Sequence, residues 1–114
     1  MRLYESVSIL RTSLTDEEVE KVIERMKELL ERNGATVRKV ENLGKRKLAY
    51  EIEHERKGTY ICLQFEGPGT VVEELERFQR LEDAVLKFLT IRLREDSSST
   101  PETREVGQEH VGVQ

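Results

Sequence analysis

Residues 15–34, TDEEVEKVIERMKELLERNG, carry their own start and stop signals, and they restrict the fold more than any other stretch. Val19, Val22, Ile23, Met26, Leu29 and Leu30 recur at the spacing of one helical face. Thr15 stands at the N-cap with Glu18 three residues on, the pattern of a capping box, and Leu14 precedes it as a staple for Val19. Asp16, Glu17 and Glu18 lie where the positive end of the helix dipole favours carboxylates. Asn33-Gly34 supplies a left-handed exit. A helix must therefore begin and end within this segment, with one apolar face to bury.

Strand-like segments flank it. In LYESVSIL, residues 3–10, Val7 and Ile9 share one face and Tyr4 and Leu10 the other, and alternation alone does not say which is inner. TVRKVEN, residues 36–42, and LAYEIE, residues 48–53, read as one strand bent at LGKRK, where a glycine suggests a bulge. HERKG reads as a loop, and TYICLQFE, residues 59–66, as a strand with Ile61, Leu63 and Phe65 alternating against Tyr60, Cys62 and Gln64. GPGT then delivers Thr70 to the N-cap of a second helix, with Glu73 completing another capping box and Val72, Leu75 and Phe78 forming its stripe. VLKFLTIRL, residues 85–93, is the last strand.

The order is β-α-β-β-α-β. Right-handed crossovers place both helices on one side of the sheet and leave the other side open. This predicts an α+β ferredoxin-like fold, a four-stranded antiparallel sheet with two helices on one face. The domain is expected over residues 1–94. Residues 95–114, rich in Ser, Thr, Pro, Glu and Gly, bury too little apolar surface to offset their ordering entropy and are expected to be a disordered acidic tail.

Charge separates these regions. The net charge is −4, and residues 95–114 hold five acids against one base, so the body is electroneutral. Within it, residues 38–47 carry five cations against Glu41, whereas residues 16–32 carry seven acids against four bases. Such polarity steers a polyanion to one side of a molecule. No apolar run approaches the roughly 18 residues of a membrane span. Nor does the start carry a secretory signal. A single cysteine, Cys62, excludes an internal disulfide and fits a reducing compartment. The expectation is a cytoplasmic protein with no membrane partner.

Catalysis finds little support. A nucleophile needs a base within reach. Cys62 reads as a small strand hydrophobe, His54 as a solvated turn residue, and His110 falls in the tail. No pair has zinc-ligand spacing, so neither metal nor cofactor is expected. Glu51, Glu53 and Glu55 alternate along one strand face, but nothing apolar surrounds them to split their pKa values. Gly67-Pro68-Gly69 lacks the Gly-Lys-Ser/Thr of a phosphate loop. The chain does not read as an enzyme.

Lys45, Arg46 and Lys47 are different: three cations stand against a strand bearing Tyr50. Cations for phosphates and aromatics for stacking, on a rigid support, make a nucleic-acid surface. A charged edge strand that blocks sheet-to-sheet aggregation would look the same. Further cations sit at element ends: Arg2, Arg80, Lys87 and Arg92. Arg80 equally suits a helix C-terminus, and Tyr4 and Tyr50 equally suit a sheet core.

The stretch GKRKLAYEI resembles the signature of a known family, the sixth protein of the bacterial small ribosomal subunit. That signature runs Gly-x-basic-polar-Leu-Ala-Tyr-x-Ile, and Gly44, Arg46, Leu48, Ala49, Tyr50 and Ile52 match it. MRLYES is similar to the family's opening through Arg2, Tyr4 and Glu5, and LEDAVLKFLTIR to its closing strand through Asp83, Val85 and Arg92. The resemblance extends over residues 1–94. Ser8 departs from it, standing where the family usually carries a large apolar residue.

The resemblance implies a ferredoxin-like structural constituent of the small ribosomal subunit. It would bind the central domain of small-subunit ribosomal RNA as a heterodimer with the eighteenth small-subunit protein. On that reading Lys45, Arg46 and Lys47 contact phosphates, and Arg2, Arg80, Lys87 and Arg92 are outlying contacts on RNA or partner. Tyr4 and Tyr50 are further candidates for either. A small-molecule-sensing module using GPGT as its pocket, and a structural homo-oligomer using the open sheet face, are the rival readings, because this fold hosts many functions.

Overall fold

The computed structural model describes residues 2–93. In chain order the elements are β1 (Arg2–Arg11), α1 (Asp16–Arg32), β2 (Thr36–Ile52), β3 (Glu55–Gly67), α2 (Thr70–Leu81) and β4 (Val85–Leu93). The strands form one sheet in the order β2-β3-β1-β4, and every neighbouring pair is antiparallel. The expected ferredoxin-like arrangement is present. The tail, residues 95–114, and the domain boundary at residue 94 lie outside the described residues.

The first helix forms as its sequence dictates. The Thr15 hydroxyl accepts from the Glu18 amide at 3.1 Å, and the Glu18 carboxylate accepts from the Thr15 amide at 2.8 Å. Gly34 takes φ +91°, a conformation that glycine tolerates at a helix exit. Val19, Val22, Ile23, Met26 and Leu30 are buried against Ile61, Leu63 and Phe65 of β3 and Leu75 of α2. Leu14 packs onto this core as a staple should.

Three expectations are corrected. HERKG is not a loop: β3 already begins at Glu55, and the hairpin turns through Glu53 and His54 alone, at φ 49° and 69°. Two positive φ values make the backbone twist of a two-residue hairpin, a role usually left to Asn and Gly. Arg11 anchors the tip, its guanidinium reaching Glu53 at 2.5 Å and Glu55 at 3.9 Å while its Nε donates to the Asp83 carbonyl at 2.7 Å. Glu51, Glu53 and Glu55 therefore do not share a strand face: Glu53 is in the turn, and Glu51 pairs with Arg56.

Nor does Thr70 cap α2. It is the first helical residue, Gly69 is the N-cap, and no side-chain capping bond forms. The Pro68 and Gly69 carbonyls already accept from Val71 and Val72, both at 3.1 Å, so the helix starts from the turn itself.

Pairing settles the parity that alternation left open. Tyr4 and Leu10 belong to the helix-side core, whereas Ile9 joins Leu48, Tyr60 and Leu86 in a smaller cluster on the other face. Ser6 and Ser8, each 1% exposed, then point at the helices. The space that a large residue at position 8 would fill is used by Gln79 of α2, whose Nε2 donates to Ser8 Oγ at 2.8 Å and Ser6 Oγ at 3.0 Å. Thr90 donates to Ser6 at 3.2 Å and extends the cluster to β4.

This buried polar clip generates a stability test. Gln79→Leu removes the amide donor to two buried hydroxyls, leaving Ser6 with Thr90 and Ser8 with Met26 Sδ, and should cost about 1–3 kcal/mol in urea unfolding. Replacing Ser6 and Ser8 by Ala in the same chain should recover most of that loss. A triple variant as unstable as the single one would contradict the hydrogen-bonded account.

Candidate nucleic-acid interface

The interface is built on the β2–β3 hairpin. β2 pairs with β3 along most of its length, with register shifts between Val37 and Lys39, between Asn42 and Gly44, and between Lys47 and Ile52. Gly44 has φ +83°, so the bend expected at LGKRK is a bulge held by glycine, with its amide donating to Asn42 Oδ1 at 2.9 Å. β1 ends at Arg11, opposite Gly58. Beyond that point residues 47–57 overhang the sheet as two strands, tied back through Arg11.

The three consecutive cations do not share a side. Lys45 lies opposite Thr59, Arg46 opposite Gly58 and Lys47 opposite Lys57. Arg46 takes the open-face side, with its guanidinium carbon 5.8 Å from the Tyr60 ring centroid. Lys45 and Lys47 take the opposite side, shared with Thr59 and hence with the helix-side residues Ile61 and Leu63. A strand alternates its faces with period two, so a run of three cations always divides this way.

The other predicted residues scatter. Lys87 comes to the open face near Arg46, donating to the Tyr50 hydroxyl at 2.7 Å with its ammonium 5.2 Å from that ring. Tyr50 is 58% exposed, whereas Tyr4 is 7% exposed and stacks on Phe65 with centroids 5.5 Å apart. Tyr4 is therefore core. Arg2, opposite Gly67, lies nine strand residues from Gly58, about 30 Å at the usual rise. Arg92, opposite Tyr4, is likewise at the far end, and Arg80 is exposed at the end of α2. Lys45, Arg46, Lys47 and Lys87 are thus gathered at the hairpin, and Arg2 and Arg92 are not.

Sequence reading missed Lys57, which the register brings directly across from Lys47. Like charges placed opposite each other on paired strands repel. Neighbouring carboxylates do not relieve them: Glu41 pairs with Lys39, Glu51 with Arg56, and Glu53 and Glu55 with Arg11. None of the ion pairs among the described residues involves Lys45, Arg46, Lys47 or Lys57.

Elsewhere the chemistry is quiet. Cys62 is buried on the open face, where its thiol donates to Glu5 Oε2 at 2.7 Å. No group of three or more His, Cys, Asp or Glu able to hold a metal occurs among the described residues, and no described helix is long and apolar enough to cross a membrane. The GPGT turn is occupied: a Cβ on Gly69 would come 3.2 Å from Arg2 Nη1 and 3.6 Å from the Tyr4 hydroxyl.

Against this geometry, a family model described as ribosomal protein S6 matches residues 3–92. The chain belongs to the ribosomal protein S6 family. That is a family of ribosomal proteins, not of enzymes. Among curated members, the small ribosomal subunit protein bS6 of Trichodesmium erythraeum is 42% identical over 101 residues, covering 89% of this chain and 85% of the relative. That of Nostoc sp. is 44% identical over 90 residues, covering 79% and 83% respectively. The crystal structure of 30S ribosomal protein S6 from Thermotoga maritima superposes with a TM-score of 0.79 at 33% identity, covering 91% of this chain and 97% of that one. The S6 signature, Gly44 to Ile52, thus lies on the overhanging hairpin and on the strand that leads into it.

Two outcomes follow from the electrostatics of this S6 hairpin. Burial pushes the Tyr60 phenol above its ordinary 10.0, the Arg46 charge pulls it partly back, and Tyr50 pushes it up again. An acid whose folded pKa is raised keeps a proton that the unfolded chain loses, so this contribution destabilises as pH climbs past 10.0. Arg46→Ala removes the downward pull, and Tyr60 should titrate later still, read by tyrosinate absorbance; an earlier titration would refute the Arg46–Tyr60 contact. Separately, Lys57→Ala should raise the thermal midpoint at low salt by relieving Lys47, and the gain should shrink as salt screens the pair.

Proposed function

We propose that this S6-family chain is a structural constituent of the bacterial small ribosomal subunit in the cytoplasm. It binds the central domain of small-subunit ribosomal RNA, as a heterodimer with the eighteenth small-subunit protein. The observation that carries the reading is the unneutralised cation cluster on an overhanging hairpin that also bears the family signature. A polyanion is the partner such a cluster fits, because each cation that meets a phosphate releases counterions and adds to affinity.

Lys45, Arg46 and Lys47 are the principal RNA contacts on this reading. Arg2, Arg80, Lys87 and Arg92 are outlying contacts, made on RNA or on the partner, and exposed Tyr50 offers a ring beside Lys87. Tyr4, though core, holds β1 against β3 beneath Arg2. The need for a second protein follows from number: affinity scales with neutralised phosphates, and one short ribbon supplies few. A more basic partner supplies the remainder.

The test measures assembly of the chain and its partner on a central-domain RNA fragment across several salt concentrations. A Lys45/Arg46/Lys47→Ala triple variant should bind more weakly, and its plot of log affinity against log salt should be shallower by roughly 2.1–2.7, at roughly 0.7–0.9 per lost contact. Binding that matches wild type at every salt concentration would sink the assignment.

A further inference from the structure

We infer that the phosphate-gripping surface is the helix-side face of the overhanging hairpin, formed by Lys45, Lys47 and Lys57, and that Lys57 is an RNA backbone contact in its own right. The inference rests on the RNA-binding reading above and divides its site in two.

Register is the first support. Lys45 and Lys47 stand two residues apart on β2, about 7 Å along the strand, and Lys57 faces Lys47 across the ladder at about 5 Å. All three are exposed; Lys45 lies level with Leu10 near the end of β1, and Lys47 and Lys57 lie one step beyond Arg11, where only β2 and β3 remain paired. Three lysines on flexible stems thus share one face, and none of them takes part in an ion pair among the described residues.

Chemistry separates this side from the other. The open-face cations are each engaged with a ring, Arg46 over Tyr60 and Lys87 over Tyr50. That side offers planar surfaces, suited to a base or to an aromatic or apolar side chain. Among Lys45, Lys47, Lys57 and Thr59 there is no ring to stack on, so the lysine side reads charge and not base identity. A patch of point charges with mobile donors is matched by phosphate oxygens, which accept from several directions.

Energetics supplies the third argument. Placing Lys57 opposite Lys47 works against the free protein, as like charges across a strand pair do. A phosphate seated between the two ammonium groups turns that repulsion into two attractions. The arrangement is unfavourable alone and favourable when occupied by an anion.

The experiment uses the full chain, its partner protein and the central-domain RNA fragment, with affinity measured over a series of salt concentrations. Wild type is compared with Lys57→Ala, Lys57→Arg and Arg32→Ala; the last removes a charge at the far end of α1. Lys57→Ala should bind several-fold more weakly with a salt slope shallower by about 0.7–0.9, while Lys57→Arg and Arg32→Ala keep the wild-type slope. A Lys57→Ala slope equal to wild type, with the Lys45/Arg46/Lys47 variant still impaired, would overturn the lysine face and leave the RNA reading standing. Weaker Lys57→Ala binding at an unchanged slope would mark Lys57 as structural and also overturn it. No RNA binding by the wild-type pair would overturn both.

Discussion

Burial of Leu48 against Ile9, Tyr60 and Leu86 aims the whole hairpin. A strand has only two faces, and a slip of one residue exchanges them. With Leu48 held inward on the open face, Arg46 must share its side, and Lys45 and Lys47 must take the other. Gly58 makes the burial possible. A Cβ there would collide with Ile9 Cγ2 and lie 3.4 Å from Leu48 Cδ2. One glycine and one leucine thus determine which cations share a face, although neither carries charge.

The body of the molecule is electroneutral, yet its charges are not evenly mixed. Carboxylates around the hairpin are engaged in structural pairs with Arg11, Lys39 and Arg56. The acids of α1 lie on a separate element, and an ion pair from the middle of α1, Arg25 with Glu82 at 3.0 Å, ties it to the C-cap of α2. What is left at the hairpin is a small positive surface backed by a neutral domain. Such an arrangement gives a local field without the long-range repulsion that a uniformly basic protein suffers.

Much of this was legible in the sequence, for local reasons. The α1 capping box and the Ile61–Leu63–Phe65 alternation depend on neighbours within a few positions, and both appear as read. So does the bulge at Gly44. The misreadings share a cause, which is dependence on distant partners. Glu53-His54 makes a tight turn without Asn or Gly, and Arg11, far away in the chain, reaches its carboxylate. Gln79 looks like an ordinary helix residue until Ser6 and Ser8 arrive beneath it. Thr70 loses its cap to carbonyls of a turn whose geometry the residue types do not reveal. Lys57 became visible only with the strand register, because sequence distance hides it from Lys47.

Arg11 has a consequence beyond the fold. Its guanidinium joins the hairpin tip to the Asp83 carbonyl in the turn before β4. With Ile52 packed on the open-face cluster and Lys87 bonded to Tyr50, it stills a two-stranded segment that, on the proposed RNA-binding reading, an RNA would otherwise have to immobilise on arrival. Bracing transfers that entropy loss from the encounter to the folding of the chain, so contacts made later dissipate less of their energy in immobilising the ribbon.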